Sequence, residues 1–370
     1  MSRPVTSVHI DTARTWRGGQ NQVLQLVTGL SSLGQPTWLV AHTRGELLRR
    51  AEEGLRFVGI SPRSEFDVQA AWQLGRVLRE AKPDVVHAHD PLAVALTAMA
   101  LTMQNGPERR PVIVASRRVD FHLKSHAFSR WKYRHVDRFI AVSRMIADVL
   151  ERDGIPPDRV SVVHDGVNTS LIDKTEPVDA HAEFWLPHGA PLVGNVAALV
   201  PHKGQKHLVA AAKLVVREVS DARFLIVGEG ELREPLDRQI RSLGLDRHVR
   251  LTGFRADALG LLKSFDLCAM SSVTEGLGSV VLEAMACGRA VVATRAGGLP
   301  EIVDDGATGV LVAPGDEAAL AAAIVDLLRD PARRAAMGQA GRRRVEREFS
   351  IDQMVRGTVE VYRNGMVQSP

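Results

Sequence analysis

Short apolar runs alternate with longer stretches of helical periodicity along almost the whole chain, and this alternation narrows the possible folds more than any other feature. Runs such as "DVVHAH" and "AVVATRA" are short and rich in Val, while the segments between them are long enough to cross over a sheet. A strand that returns by a helical crossover lies parallel to its predecessor, and a parallel sheet has to be covered on both faces. The fold class is therefore α/β. In the first half, strands are expected at "SVHID", "TWLVAH", "DVVHAH", "VIVAS", "RFIAVS" and "VSVVHD". In the second they are expected at "LVGNVAAL", "RFLIVGEG", "VRLTGF", "LCAMSS", "AVVATRA" and "TGVLVAP". The alternation lapses at "NTSLIDKTEPVDAHAEFWLPHGAP", which separates a first domain, residues 1–172, from a second, residues 187–350. A last helical segment, about 352–370, follows the completed second pattern and is expected to pack back onto the first domain.

Composition supports two soluble cores: 370 residues, 45% hydrophobic and 24% charged, is ordinary globular usage. The two cysteines, Cys268 and Cys287, sit in apolar context, with no CxxC spacing and no histidine cluster at ligand spacing along the chain. This argues against a disulfide framework or a cysteine-based zinc site and for a reducing compartment. "MSRPVTSVHID" lacks the apolar core of a signal peptide, and "LAVALTAMALTM" falls short of the roughly 20 residues that span a bilayer. A cytoplasmic protein is expected. A net charge of +4 with a pI near 9.3 suits an anionic ligand or membrane surface and is too small to indicate nucleic acid.

Ligands of open parallel sheets bind beyond the carboxyl ends of the strands, so the loops there carry the chemistry. "DTARTWRGGQNQ" places Gly18 and Gly19 before a helix whose free amides favour an anion, though it is not the GxGxxG pattern of a dinucleotide site. "VPHKGQ" supplies Lys203 beside a glycine. "TEGLGS" places Gly276 and Gly278 just ahead of a helix in which Glu283 interrupts an otherwise small or apolar run from Ser279 to Cys287. A buried carboxylate without a partner costs several kcal/mol or takes up a proton. Two readings follow. Glu283, one turn after Ser279, holds a diol whose phosphate sits at the helix start, which is the arrangement of a nucleotide, or it is a core residue satisfied by an Arg or a backbone N–H. Glycine turns and a Lys facing each other from two sheets would form a cleft suited to a diphosphate.

Glu275 and Glu283, with seven residues between them, followed by "GGLPEIV", resemble the EX7E motif of glycosyltransferase family 4, retaining enzymes with the GT-B fold of two Rossmann-like domains facing a central cleft. The resemblance extends over nearly the whole chain through "RGG", "DVVHAHDP", "RFIAVS", "VVHDGVN", "VPHKG", "FLIVGEGELR", "LTGF" and "TGVLVAPGDEAALAAAI". It implies transfer of a sugar from a nucleotide-sugar donor to a glycan or lipid-linked acceptor, as in cell-envelope polysaccharide or lipopolysaccharide synthesis. It implies no cofactor, and no metal is expected, consistent with the lack of an evident DXD motif. Carried onto this sequence, the resemblance gives Glu283 the ribose hydroxyls, Glu275 the donor sugar, and the amides of Gly278, Ser279 and Val280 the sugar and distal phosphate. Lys203 falls at the diphosphate, Gly253 and Phe254 near the base, Gly228 among the donor-binding positions, and Gly18 and Gly19 at the phosphates and acceptor. Closure of the domains over the donor would exclude water.

The chain departs from the family pattern in two places. Ala198 stands where the family commonly has an Arg, and "PVIVASRRVDF" brings Arg117 to a position that often holds a His near the reacting centre. Arg117 or Arg118 is expected to supply the missing charge from across the cleft, the alternative being a solvated sheet edge. Residues 117–135, "RRVDFHLKSHAFSRWKYRH", interleave six Lys or Arg with Phe121, Phe128, Trp131 and Tyr133. Such a stretch either contacts an anionic membrane peripherally or is a solvated face with its aromatics turned inward. A nucleotide-sugar epimerase of the same fold and a non-catalytic nucleotide-sugar sensor are the alternative functions.

Overall fold

The structure is a computed structural model describing residues 3–51, 55–103, 110–124 and 126–368. The chain forms two compact units, Met1–Gly166 with Ile351–Pro370, and Val167–Ser350. The second unit therefore begins at Val167, ahead of the expected end of the first domain at residue 172, and includes short helices at Thr169–Lys174 and Ala180–Glu183.

The first unit is a seven-stranded parallel sheet of β1 (Ser7–Asp11), β2 (Thr37–His42), β3 (Arg56–Ile60), β4 (Val85–Ala88), β5 (Val112–Arg117), β6 (Arg138–Ala141) and β7 (Val160–Val162), in the order β3-β2-β1-β4-β5-β6-β7. Only β3 lies outside the strands expected from the sequence. It is an edge strand with most of its residues exposed, so no apolar run marks it. The second unit is a six-stranded sheet of β8 (Leu192–Val196), β9 (Arg223–Val227), β10 (Val249–Gly253), β11 (Leu267–Met270), β12 (Ala290–Thr294) and β13 (Gly309–Val312), in the order β10-β9-β8-β11-β12-β13. Buried residues run along both faces of the central strands: β1, β4, β11 and β12 have no exposed position.

In each sheet the strand order reverses once, between β1 and β4 and between β8 and β11. At such a switch point the helices after the two strands leave on opposite faces and open a crevice at the carboxyl ends. The loops after β1, β8 and β11 are those the sequence singles out.

The C-terminal helix Ile351–Gln368 completes the first unit's core. Val355, Val359 and buried Tyr362 pack with Leu26 and Leu30 of the Gly18–Ser32 helix and with Val85, Val112 and Ile140 of the sheet. The two helices meet at Gly29, where an added Cβ would lie 2.6 Å from Val355 Cγ2. Gly29→Ala is therefore expected to lower stability by about 1–3 kcal/mol in urea unfolding, as overpacking does, and Val355→Ala in the same chain should recover part of the loss. Independent, additive effects of the two substitutions would contradict this packing.

Candidate functional site

The second unit collects its chemistry where β8 and β11 part. After β8, the turn Pro201–Lys203 ends at Gly204, whose φ of 63° and closeness to Ser271 O, 2.2 Å from an ideal Cβ, admit only glycine. After β11, Val273 N–H donates to His202 O at 2.8 Å, so the two loops are fastened to each other. This brings Lys203 Nζ to 2.6 Å from Glu275 Oε2, which also accepts from Ser272 Oγ at 3.1 Å. Both charged side chains are largely shielded from solvent. The backbone of Glu275 is held from the other side: Gly298 N–H donates to its carbonyl, and an ideal Cβ on Gly297, φ 55°, would lie 1.7 Å from that oxygen.

Gly278, φ 99°, caps the helix Ser279–Ala286 without a side chain, and its carbonyl takes the Val281 N–H, so the amides of Ser279 and Val280 are left to a ligand or water. Ser279 and Val280 stand half-buried at this start. Side chains on a helix lean toward its N-terminus, so Glu283 reaches back over the turn that begins at Ser279. Its helix neighbours Val281, Leu282, Ala284, Met285 and Ala286 are buried. Among the described residues no cation or hydrogen-bond donor pairs with the Glu283 carboxyl, and burial alone pushes its pKa up from 4.5 to about 7. Its residue surface is nonetheless partly open, so the group is sunk but reachable. The Arg or backbone N–H partner that the core reading calls for is not found among the described residues.

Gly228 and Gly253 close the carboxyl ends of β9 and β10, with Gly228 N–H donating to Gly253 O at 2.9 Å. An ideal Cβ on Gly228 would lie 2.0 Å from Ala197 O. Phe254, next to Gly253, is 56% exposed. Two contributors escaped the sequence reading: Ser272, which orients Glu275, and Arg233, whose guanidinium lies beside Gly253. At Ala198, in place of a cation, the backbone carbonyl accepts from Gln205 Nε2 at 2.9 Å.

In the first unit, Gly18 opens a helix whose preceding residue, Arg17, makes no side-chain cap. Asp90 fixes the loop ahead of it by accepting from Thr12 N and Oγ1, while burial, then Asp11, pushes its pKa up to about 6. The two candidate arginines separate. Arg117 turns into its own unit, donating to Phe121 O and lining a small cavity with Asp90 and Tyr133, and burial pushes its pKa down. Arg118 instead lies against the glycine turn, its Cδ 3.8 Å from an ideal Cβ on Gly19, and Nε donates to Asp165 Oδ1 at 3.2 Å. Of the two arginines the sequence offers, Arg118 is the one that lies against the Gly18–Gly19 turn. The basic segment also divides, since Lys132 is buried against Pro91 O and Glu65, while Phe128 stacks on Trp131 and meets Phe66 at a tilt.

The absence of a histidine cluster along the chain does not hold in space. The parallel register pairs His9 with His87, and His89 follows on the same face, bringing three buried histidines together with ring nitrogens within 4.8 Å. Burial first, and the neighbouring positive groups second, lower all three pKa values, His9 to about 3.

Two family models cover the chain in succession, Glycosyltransferase Family 4 at residues 16–171 and Glycosyl transferases group 1 at residues 179–344. The chain is 32% identical over 301 residues to a glycogen synthase of Mycobacterium tuberculosis, covering 77% of this chain and 69% of that protein. The chain belongs to glycosyltransferase family 4. This family 4 glycosyltransferase is also 28% identical over 305 residues to the lipopolysaccharide core biosynthesis glycosyltransferase LpsD of Rhizobium meliloti, covering 80% of each. Its fold is GT-B, similar to that of Anabaena HepE in complex with UDP and glucose, with TM-score 0.83, 20% identity, and coverage of 97% of this chain and 100% of that one.

Between pH 4.5 and about 7 the folded glycosyltransferase keeps a proton on Glu283 that the unfolded chain has released, so this group's contribution to stability falls as pH rises through that window. Above it, the ionised carboxylate costs the fold up to about 3 kcal/mol. Glu283→Gln should therefore stabilise the fold at pH 8 by about 1–3 kcal/mol and much less at pH 5. Equal or lower stability of the variant at pH 8, read by urea unfolding, would show that the carboxylate has a partner.

Proposed function

We propose that the chain transfers a sugar from a nucleotide-sugar donor to a glycan or lipid-linked acceptor of the cell envelope, with retention of anomeric configuration. The observation that carries the reading is Glu283, a sunken, reachable carboxylate with no partner among the described residues, one turn from an uncapped helix start. A ribose diol donating to this carboxylate places the nucleotide's phosphates at the amides of Ser279 and Val280. The bond that breaks joins the distal phosphate to the anomeric carbon, so a phosphate-binding cation and a sugar-binding carboxylate have to be neighbours. Lys203 and Glu275 are neighbours, 2.6 Å apart.

As the glycosidic C–O bond opens, its electron pair stays on the diphosphate and the sugar carbon becomes oxocarbenium-like. Fixed amides and a lysine at the phosphate stabilise that charge more in the transition state than in the ground state, and no metal is required for it. Phe254, exposed beside Gly253, offers a face for the base, with Arg233 near it. The relation to LpsD favours an envelope glycan or glycolipid, and exposed Phe66 and Phe121 favour an acceptor carried on lipid, with the protein held peripherally at the inner membrane face. Among the described residues no helix is long and apolar enough to cross a membrane.

Thermal-shift screening against UDP-, GDP- and ADP-sugars tests the donor, because a ligand at 100 times its dissociation constant adds about 2.7 kcal/mol of stability. One donor should raise the melting temperature and be slowly hydrolysed. Lys203→Ala should cut that turnover by about 10²–10³, the usual loss for a transition-state donor, and Glu275→Ala should abolish it. Indifference to all three donors would overturn the reading, conversion of the free donor to an epimer would make the chain an epimerase, and failure to float with anionic vesicles would remove the membrane arm.

A further inference from the structure

The histidine cluster of the first unit sits between Arg118 and the C-terminal helix, and its hydrogen bonds admit one consistent direction. Arg118 can only donate, so His89 Nδ1, 3.3 Å from its Nη1, is the acceptor and carries no proton. A neutral His89 then bears its proton on Nε2, which lies 3.0 Å from His9 Nδ1. His9 Nδ1 is thereby an acceptor, and its own proton falls on Nε2, shared between Ser7 Oγ at 3.2 Å and Tyr362 Oη at 3.4 Å. The Tyr362 hydroxyl donates to His87 Nδ1 at 2.7 Å, and His87 Nε2–H donates to Ser116 Oγ at 2.7 Å. Neutral imidazoles are each one donor and one acceptor, which fixes His89 and His9, and with His9 Nε2 protonated the Tyr362 O–H has His87 Nδ1 as its acceptor, which fixes the last link.

A metal ion is the obvious alternative for three clustered histidines. A metal-bound imidazole turns its second nitrogen, protonated, toward an acceptor. The second nitrogen of His89 faces the Arg118 guanidinium, a donor and a cation, so a metal there would set N–H against N–H and charge against charge.

We propose that this directional chain, from Arg118 through His89, His9 and Tyr362 to His87, orients the Arg118 guanidinium beside the Gly18–Gly19 turn, making Tyr362 of the C-terminal helix a positioning residue of the transferase. The assignment of a reaction role to Arg118 rests on the proposed function, whereas the direction of the chain does not. Asp165 holds Nε of Arg118 and His89 accepts from Nη1, so the two contacts together fix the plane of the guanidinium. Tyr362, on the last element of the sequence, is the link that ties this plane to the docked C-terminal helix.

The test is ¹⁵N spectroscopy of the full chain labelled at histidine and arginine, together with donor hydrolysis by the wild type and Tyr362→Phe. In the wild type, His9, His87 and His89 should each be protonated at Nε2 and bare at Nδ1, with no stoichiometric zinc, nickel or copper in the purified protein. Tyr362→Phe keeps the ring and removes the hydroxyl. It should shift His87 toward a mixture of tautomers, alter the Arg118 Nε–H signal, and lower kcat for donor hydrolysis about tenfold with KM little changed. Any histidine protonated at Nδ1 in the wild type, a bound metal, or a variant with an unchanged Arg118 signal would overturn the proposal. An altered signal with unchanged kcat would also overturn it, since the chain would then be structural only. If the wild type hydrolyses no donor, the proposed function fails by itself, and the histidine and arginine signals still decide the chain.

Discussion

A carboxylate lodged among apolar side chains is unfavourable for a fold to carry, and among the described residues no cation stands beside Glu283, which is why the proposed function gives it a ligand. Everything nearby serves to keep that group open. The helix it stands on begins at a glycine with no capping side chain, and in the neighbouring loops Lys203 is engaged by Glu275. On the proposed function, stability is given up at the place where the donor binds.

The parallel-sheet architecture explains why this place exists. Each sheet reverses its strand order once, and at each reversal the loops from neighbouring strands come together. In the second unit the meeting loops bond backbone to backbone, at Val273 and His202, so Lys203 and Glu275 are set by main-chain geometry rather than by long flexible side chains. In the first unit the reversal brings β1 beside β4, and that pairing alone creates the contact between His9 and His87. The C-terminal helix then seals the cluster with Tyr362.

The sequence carried most of the fold, because a buried parallel strand writes itself as an apolar run. The edge strand Arg56–Ile60 was illegible because it is largely exposed. Positions of Glu275, Glu283, Lys203 and the glycines could be read because motif spacing along one loop or helix survives folding unchanged. What could not be read were relations between segments. Adjacent arginines at the end of β5 look equivalent in sequence, yet neighbouring residues of a strand point to opposite faces, and only Arg118 reaches Gly19. The histidines of "SVHID" and "DVVHAH" were visible singly, but their meeting depends on strand register, which one sequence does not disclose. Ser272 and Gly297 act through the backbone and side chain of Glu275, contacts with no periodic signature.

Calorimetric titration of the purified protein with UDP, GDP and ADP, and with the 2′,3′-dideoxy analogue of whichever binds, addresses the central claim most directly. If Glu283 grips the ribose, removing both hydroxyls weakens binding at least tenfold in the wild type, and the difference shrinks to near unity in Glu283→Gln. Equal affinity of the wild type for the nucleotide and its dideoxy analogue would contradict the account.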